Sequence, residues 1–258
     1  MHLVITMAGR SNRFKDAGIT TPKWLLEVDD FPMLYWSIRP FVNTINKTSS
    51  KIIFVTLMED RASSTIIEIC QKLKVRNFEL VELEISPNGQ ALSALEAMPF
   101  LEDNQRFAIW NIDTLLITLD FHFPIDENWM TLSQFEGNYW SFARVVNGMV
   151  TEVAEKKRIS QWTSIGLYGF KNKQTFESLV TDSFKNYDNL NTELYVAPLY
   201  SKLIQQGIRV SPQYIDKSLV SVIGTPEQLL ELHNGGKHSF DTTSILKSRE
   251  FMQSKSLF

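Results

Sequence analysis

Hydrophobic positions in the first half of the chain form short apolar runs that alternate with amphipathic segments. Runs at Leu3–Ile5, Lys51–Leu57 and Phe78–Glu84 have the length of strands, and the second is almost wholly apolar, as is typical of a parallel strand covered on both faces. Amphipathic segments at Pro32–Phe41 and Ala62–Lys74 predict intervening helices. This β-α-β-α-β alternation predicts a parallel sheet with right-handed crossovers and ligands at the carboxyl ends of its strands.

From Met130 the pattern changes to longer strands of antiparallel style. The stretch Trp140–Glu155 predicts a hairpin that turns at Asn147-Gly148, because Asn-Gly is a strong hairpin-turn signal. Further on, helices are predicted at Phe176–Phe184 and at Asn191–Gly207, and a last one begins at Thr225-Pro226. The overall expectation is an α/β fold with a mixed, mostly parallel central sheet and a smaller antiparallel lobe.

Composition narrows the function classes. The 258 residues are 43% hydrophobic and 21% charged, and the net charge of −3 argues against general nucleic-acid binding. No apolar run is long enough to cross a bilayer, and the first run is too short for a signal peptide. A single cysteine, Cys70, excludes an intramolecular disulfide framework and a cysteine-rich metal site. We expect a cytoplasmic enzyme with no membrane or nucleic-acid partner, and a homo-oligomer is compatible with the sequence.

The end of the first predicted strand carries the first candidate chemistry. The strand breaks at Ala8-Gly9 into the polar turn Arg10–Arg13, and such turns direct backbone N–H groups into a concavity that holds phosphate oxygens. Arg13 and Lys23 add the positive charges that a triphosphate requires. A simple strand-to-turn connection is the alternative, because one glycine is a weak signal.

A second polar group ends the apolar run that starts at Phe107. Alternation places Asn111 and Asp113 on the same side of this run. A buried carboxylate without a partner is costly, and Mg²⁺ prefers one or two carboxylates together with substrate phosphates. Asp113 is therefore predicted to bind Mg²⁺, and capping of the next turn is the alternative.

Five stretches of the chain resemble, in order, the motifs of the sugar nucleotidyltransferase (nucleoside-diphosphate-sugar pyrophosphorylase) family. They are MAGRSNRF with the following PK, then GQA, NIDT, AEKK with IGLYGF, and IGTPEQL. The resemblance extends from Leu3 to about Leu232 and implies a Rossmann-like three-layer nucleotidyltransferase fold. It also implies transfer of a nucleoside monophosphate from a nucleoside triphosphate to a sugar 1-phosphate. Pyrophosphate would be released, and the activated sugar would serve polysaccharide biosynthesis.

The resemblance also assigns roles to residues. Arg13 and Lys23 would act on the triphosphate as catalytic residues, with Asp113 as the Mg²⁺ ligand. The nucleotide would contact Ala8, Gly9, Arg10, Ser11, Gly89, Gln90 and Asn111. The phosphorylated acceptor would contact Glu155, Lys156, Gly166 and Glu193; for Glu193, pairing with a helix dipole is an equally open alternative.

The chain departs from the family pattern at three places. Ser11 stands where the family commonly has a second glycine, Lys157 replaces a proline, and Ser221-Val222 lack the carboxylate that is the usual second metal ligand. Two other functions stay open: a cytidylyltransferase acting on a phosphorylated small alcohol such as phosphocholine, and a non-catalytic nucleotide-binding relative. Since no linker or repeat divides the chain, one domain is expected over residues 1–235, with a tail at 236–258.

Overall fold

The structure, a computed structural model, describes residues 1–118, 120–185 and 193–233. Its strands are β1 (His2–Thr6), β2 (Glu27–Val28), β3 (Phe31–Pro32), β4 (Ile52–Leu57), β5 (Phe78–Leu83), β6 (Phe107–Asn111), β7 (Thr114–Leu116), β8 (Trp129–Ser133), β9 (Ser141–Val146), β10 (Met149–Glu155), β11 (Trp162–Phe170), β12 (Ser211–Tyr214) and β13 (Val220–Val222). Its helices are α1 (Asn12–Asp16), α2 (Met33–Lys47), α3 (Ser63–Leu73), α4 (Gln90–Leu95), α5 (Lys173–Lys185), α6 (Leu199–Gln205) and α7 (Pro226–His233).

Nine strands form one mixed sheet. Its main path runs β10-β9-β11-β6-β1-β4-β5, and β8 joins it through β11 and carries β12. The part formed by β6, β1, β4 and β5 is parallel, whereas β11 runs antiparallel to β6 and leads into the β9–β10 hairpin. Two small antiparallel sheets, β2-β3 and β7-β13, complete the fold. The predicted fold class is confirmed, with the β9–β10 hairpin continuing the central sheet beyond its parallel part.

Successive residues of the central strands point to opposite faces, and both faces are covered. Val4 and Ile53 belong to a buried cluster on the face that packs against α4, α5 and α6. Leu3 and Phe54 belong to the cluster on the other face, against α2 and α3. Each of these four side chains is fully buried, which explains the almost continuous apolar runs of β1 and β4. The result is a three-layer arrangement.

The apolar run that starts at Phe107 is interrupted in the structure. It is divided into β6 and β7 by a turn at Ile112-Asp113, and β7 leaves the main sheet to pair with β13. The carbonyl of Asp113 accepts the backbone N–H of Ile223 at 2.8 Å, which ties the turn to the chain after β13. The turn thus lies at the carboxyl end of a central strand.

The helix predicted at Asn191–Gly207 is wrong over its first described residues. Only Leu199–Gln205 is helical, and Gly207 follows with φ of 74°, as expected for a helix-terminating glycine. Pro198 disfavours helical geometry in the residue before it, and the backbone of Leu194 is bonded to another loop instead.

Two predicted features involve residues that the structure does not describe. Residues 191 and 192, together with the expected domain boundary between 235 and 236, lie outside the described residues. Within the described ranges, no helix is both long and apolar enough to cross a membrane.

Candidate functional site

A cavity of about 810 Å³ opens at the carboxyl ends of β1 and β6. Its walls come from the loop after β1, the turn before α4, the Ile112-Asp113 turn and the segment before α6. Among the predicted site residues, those that line it are Ala8, Gly9, Arg10, Ser11, Arg13, Lys23, Gly89, Gln90, Asn111, Asp113 and Glu193. The other three, Glu155, Lys156 and Gly166, are not among the lining residues. Strand ends therefore bring together residues that are far apart in the sequence.

The loop after β1 is fixed by its neighbours on both sides. The N–H of Met7 donates to the carbonyl of Val55 at 2.8 Å, and the Ser86 hydroxyl donates to the carbonyl of Ala8 at 2.7 Å. Ser11 adopts the left-handed conformation, with φ of 52° and ψ of 37°, immediately before α1. The serine thus takes the backbone geometry that a glycine favours, at a cost of about 1–2 kcal/mol. Backbone strain of this size is typical of functional loops.

Lys23 and Asp113 form an ion pair in the cavity wall. Lys23 begins a short 3₁₀ turn after Pro22, and its Nζ lies 2.8 Å from Oδ2 of Asp113. Only 14% of the Lys23 side chain and 28% of the Asp113 side chain are exposed. The lysine Nζ also lies 5.6 Å from the centre of the Phe14 ring. The pair places a positive and a negative charge in the cavity that the loop after β1 also lines.

Asp113 offers a carboxylate to a metal ion at the carboxyl end of β6. Within the described ranges, no three histidine, cysteine, aspartate or glutamate residues cluster in a way that could hold a metal ion. Val222, where the family has a carboxylate, pairs with Thr114 between β13 and β7. Mg²⁺ commonly keeps several waters and binds through one or two carboxylates together with phosphates of a ligand. The single carboxylate of Asp113 fits an ion whose other ligands are waters and phosphate oxygens.

Gly224 also borders this carboxylate, and sequence reasoning did not single it out. A Cβ added at Gly224 would lie 3.9 Å from Oδ2 of Asp113 and 3.3 Å from Oε1 of Gln228. The Gln228 oxygen accepts the N–H groups of Gly224 and Thr225, and the Thr225 hydroxyl accepts the N–H of Gln228. This is the reciprocal capping box of a helix start, and it confirms the predicted cap at Thr225. The IGTPEQL motif was the signal that could have identified Gly224.

The turn before α4 is joined to the segment before α6 by two backbone hydrogen bonds. Leu194 donates its N–H to the carbonyl of Asn88 at 3.0 Å and accepts the N–H of Ala91 at 2.9 Å. Gly89 lies between them with φ of 119°, and a Cβ there would overlap the backbone of Leu194. Gly89 is thus required for a close approach of two chain segments, which fixes Glu193 at the rim of the cavity.

The Gln90 side chain contacts the ends of β1 and β6. Its amide nitrogen donates to Oγ1 of Thr6 at 3.2 Å and to Oδ1 of Asn111. The amide nitrogen of Asn111 in turn fills the space that Gly166 leaves, because a Cβ at Gly166 would overlap it. The room at Gly166, a residue that the resemblance assigns to the acceptor, holds the side chain of Asn111.

Lys156 reaches the rim of the cavity through Tyr195. Its Nζ donates to the Tyr195 hydroxyl at 2.8 Å and lies 4.6 Å from the centre of that ring. The Tyr195 hydroxyl donates to the carboxylate of Glu193. Tyr195, which lines the cavity, was missed from the sequence, although its place two residues after Glu193 could have indicated it.

The pKa values of Lys156 and Glu155 are both shifted upward. Hydrogen bonding to Tyr195 is the main cause that raises the pKa of Lys156, and burial acts in the opposite direction. Burial raises the pKa of Glu155, against the effects of a hydrogen bond from Ser141 and the charge of Lys156. Lys156 contacts Tyr195 in the cavity wall, and ionisable groups with shifted pKa values beside a cavity are typical of functional sites.

Comparisons with known proteins agree with this geometry. No protein-family model matches the chain, and no curated protein matches it. Among solved structures, the nucleoside-diphosphate-sugar pyrophosphorylase from Vibrio cholerae RC9 superposes with a TM-score of 0.80 at 28% sequence identity, covering 89% of this chain and 98% of that one. The inositol-1-phosphate CTP transferase from T. maritima gives 0.69 at 16% identity, with 88% and 90% covered. A UDP-glucose pyrophosphorylase complexed with UDP-glucose gives 0.70 at 16%, with 91% and 97% covered.

These neighbours confirm the resemblance that the five motifs indicated: in fold, this chain is similar to the nucleoside-diphosphate-sugar pyrophosphorylases and related nucleotidyltransferases.

Proposed function

We propose that this chain transfers a nucleotidyl group from a nucleoside triphosphate to a sugar 1-phosphate, releasing pyrophosphate. The observation that carries the proposal is the Lys23–Asp113 pair, which lies 2.8 Å apart in the cavity that the Gly9–Arg13 loop also lines. Cations and one carboxylate beside a loop of backbone donors suit a triphosphate that arrives with a metal ion. Residues 1–235 would form the catalytic domain, and 236–258 a tail.

The reaction needs no nucleophile from the protein. An oxygen of the acceptor phosphate attacks the α-phosphorus in line and forms a new P–O bond. The bond from the α-phosphorus to the bridging oxygen breaks, and pyrophosphate leaves with that oxygen. Catalysis then consists of positioning and of stabilising charge on the transferring group.

Each charged residue of the nucleotide side has a part in this step. Backbone N–H groups of Gly9, Arg10 and Ser11 would hold the phosphates, with Arg13 at the charge that develops on pyrophosphate. Lys23 would contact the α-phosphate and the incoming acceptor phosphate, because its Nζ is fixed by Asp113. Mg²⁺ held by Asp113 would supply further positive charge to the phosphates.

The acceptor would bind at the rim formed by Glu193, Tyr195 and Lys156. The Lys156 ammonium suits the acceptor phosphate, and the Glu193 carboxylate suits hydroxyl groups. Glu155, the residue before Lys156, is assigned to the acceptor as well, and burial raises the pKa of its carboxyl group.

A second candidate acceptor is a phosphorylated small alcohol, with CTP as the donor. It is favoured by the similar fold of the inositol-1-phosphate CTP transferase, a protein whose name pairs CTP with an alcohol phosphate. A non-catalytic nucleotide-binding protein is a weaker candidate, because the Lys23–Asp113 pair and Arg13 are all retained.

Pyrophosphate release in the presence of Mg²⁺ tests these alternatives. Each of CTP, dTTP, UTP, GTP and ATP is combined with a panel of sugar 1-phosphates and phosphorylated small alcohols. Release with one pair identifies donor and acceptor together. Nucleotide binding by calorimetry without release from any pair would favour the non-catalytic protein, and absence of both would contradict the proposal.

A further inference from the structure

A chain of three polar side chains crosses the floor of the cavity, from Thr6 through Gln90 to Asn111. Thr6 and Asn111 are register partners at the carboxyl ends of β1 and β6, and Gln90 begins α4 above them. The Gln90 amide nitrogen donates to both, and the Thr6 hydroxyl lies 3.3 Å from the carbonyl oxygen of Trp110. All three side chains line the cavity.

The direction of these hydrogen bonds is fixed by the backbone. The carbonyl of Trp110 can only accept a hydrogen bond, so the Thr6 hydroxyl donates to it and uses its oxygen to accept from Gln90. The nitrogen of the Gln90 amide must therefore face Thr6 and Asn111. Asn111 then accepts with Oδ1. Within the described residues its amide nitrogen donates no hydrogen bond, and Asn111 lines the cavity.

The two ends of the Asn111 amide face different parts of the site. Its oxygen lies toward Gln90 and Thr6, on the side of the phosphate-binding loop. Its nitrogen lies against Gly166 of β11, the strand that pairs with β9 and connects the cavity to Glu155 and Lys156. Gly166 has φ of 85° and no Cβ, and any side chain there would displace this nitrogen.

We propose that Gln90 is a positioning residue for the acceptor: it holds the amide of Asn111 so that Nδ2 donates a hydrogen bond to an acceptor oxygen. This inference rests on the proposed transferase function and adds a specificity element to it. The oxygen belongs to the acceptor's phosphate or to one of its hydroxyl groups. Gln90 acts through Asn111, which makes the contact.

Replacing the amide of Gln90 by a carboxylate reverses the direction of the hydrogen bond between residue 90 and Asn111. In the Gln90→Glu variant, the new side chain can only accept, so Asn111 turns its nitrogen toward it and presents Oδ1 to the acceptor. We expect the KM for the acceptor to rise about tenfold, the fold-change of one hydrogen bond replaced by a repulsive contact. The KM for the nucleoside triphosphate should stay within about twofold.

Gln105→Glu is the matched control, because the Gln105 side chain already acts as an acceptor, from the N–H of Glu102, in a loop outside the cavity. It should leave both KM values unchanged. Gln90→Met, which has neither donor nor charge, serves as a second variant if Gln90→Glu fails to fold. Gln90→Met removes the hydrogen bond to Asn111 but does not force its amide to turn over. We expect the acceptor KM to rise about threefold.

A double-variant cycle separates positioning from a general structural effect. In an Asn111→Ala background, Gln90→Glu should have no further effect on the acceptor KM, because the residue through which it acts is absent. An undiminished effect in that background, or an equal rise in both KM values, would overturn the proposal. So would an unchanged acceptor KM in Gln90→Glu.

An acceptor panel identifies the oxygen. The quantity compared is the acceptor KM of Gln90→Glu divided by that of wild type. If this ratio is the same for all phosphorylated acceptors, the oxygen belongs to the phosphate. If it falls to one for a single deoxy analogue, the oxygen belongs to the hydroxyl group that the analogue lacks. If wild type neither turns over nor binds any acceptor, the proposed function itself has failed and this inference with it. If wild type is active and the variants are indistinguishable from it, only the positioning role has failed.

Discussion

The two sides of the cavity, which we propose bind the nucleotide and the acceptor, are built in different ways. On the nucleotide side, the groups stand at the ends of central strands: the loop after β1 is tied to Val55 and Ser86, and Lys23 is paired with Asp113 with 14% and 28% of their side chains exposed. On the acceptor side, Lys156 and Glu193 are exposed, and Tyr195 connects them.

This difference indicates a division of tasks. A rigid strand-end site suits the triphosphate, which is common to all donors and whose reacting phosphorus must be held within a fraction of an ångström. Side chains on a hairpin and a loop can change without disturbing the sheet, which suits a part of the site that selects among acceptors. Losses on the nucleotide side should therefore lower kcat, whereas losses on the acceptor side should raise one KM.

The largest effect is expected for Asp113→Asn. The variant keeps a hydrogen-bond acceptor for Lys23 but loses the charge that would hold Mg²⁺, and kcat should fall by roughly 10²–10³. The measurement is pyrophosphate release in saturating substrates with Mg²⁺, alongside a thermal melt that should show a folded protein. Asp126→Asn, in an exposed loop outside the cavity, should retain wild-type activity. Full activity of Asp113→Asn in Mg²⁺ would contradict the metal assignment.

Placement in the cavity could be predicted better for the residues at the strand ends than for the contacts of Lys156, for a physical reason. Apolar strands end at Thr6 and Asn111, and the polar residues that follow must meet at one sheet edge, whatever the details of the loops. The contact between Lys156 and Tyr195 joins two residues 39 positions apart. It depends on how the end of the β9–β10 hairpin and the segment before α6 pack together. No local pattern specifies that.

Two further features needed three-dimensional information. The resemblance assigned Gln90 to the nucleotide, and the structure adds that its side chain bonds to Thr6 and Asn111. The helix predicted from Asn191 was read from its apolar spacing, whereas Leu194 pairs its backbone with the turn at Asn88. At Leu194 a tertiary hydrogen bond overrides the local preference, and the partners of Gln90 lie on strands that are distant in the sequence.

The next effect in size is expected for Lys156→Met. Loss of the ammonium removes a charge-assisted hydrogen bond to the acceptor phosphate, and the acceptor KM should rise by about 10- to 100-fold. The KM for the nucleoside triphosphate should change by less than about twofold, because the Lys23–Asp113 pair is untouched. Lys157→Met removes the same charge one residue further along the same turn, and it should leave both KM values near wild type. Equal effects of the two substitutions would show that general charge, and not the Lys156–Tyr195 contact, governs acceptor binding.

The smallest effect is expected for Glu155→Gln, and it concerns stability. Burial raises the pKa of Glu155 above its ordinary value of 4.5, so in the pH range just above 4.5 the folded chain holds a proton that the unfolded chain has released. Stability then falls as pH rises through that range, and the contribution is lost above the folded-state pKa. Glutamine carries no charge, and its oxygen can still accept from Ser141, so the variant should lack this fall.

Thermal melts between pH 4 and 7.5 measure the difference. Glu155→Gln should match wild type near pH 4 and exceed its Tm by about 1–2 °C at neutral pH, a shift that corresponds to a fraction of a kcal/mol for a chain of this length. Glu152→Gln is the control on the same strand, since Glu152 is exposed and paired with Arg144 at the surface, where such pairs contribute little. A lower Tm for Glu155→Gln at neutral pH would mean that attraction to Lys156 outweighs burial. The acceptor side would then be stabilised by its charges and would no longer differ from the nucleotide side, where Lys23 and Asp113 already neutralise each other.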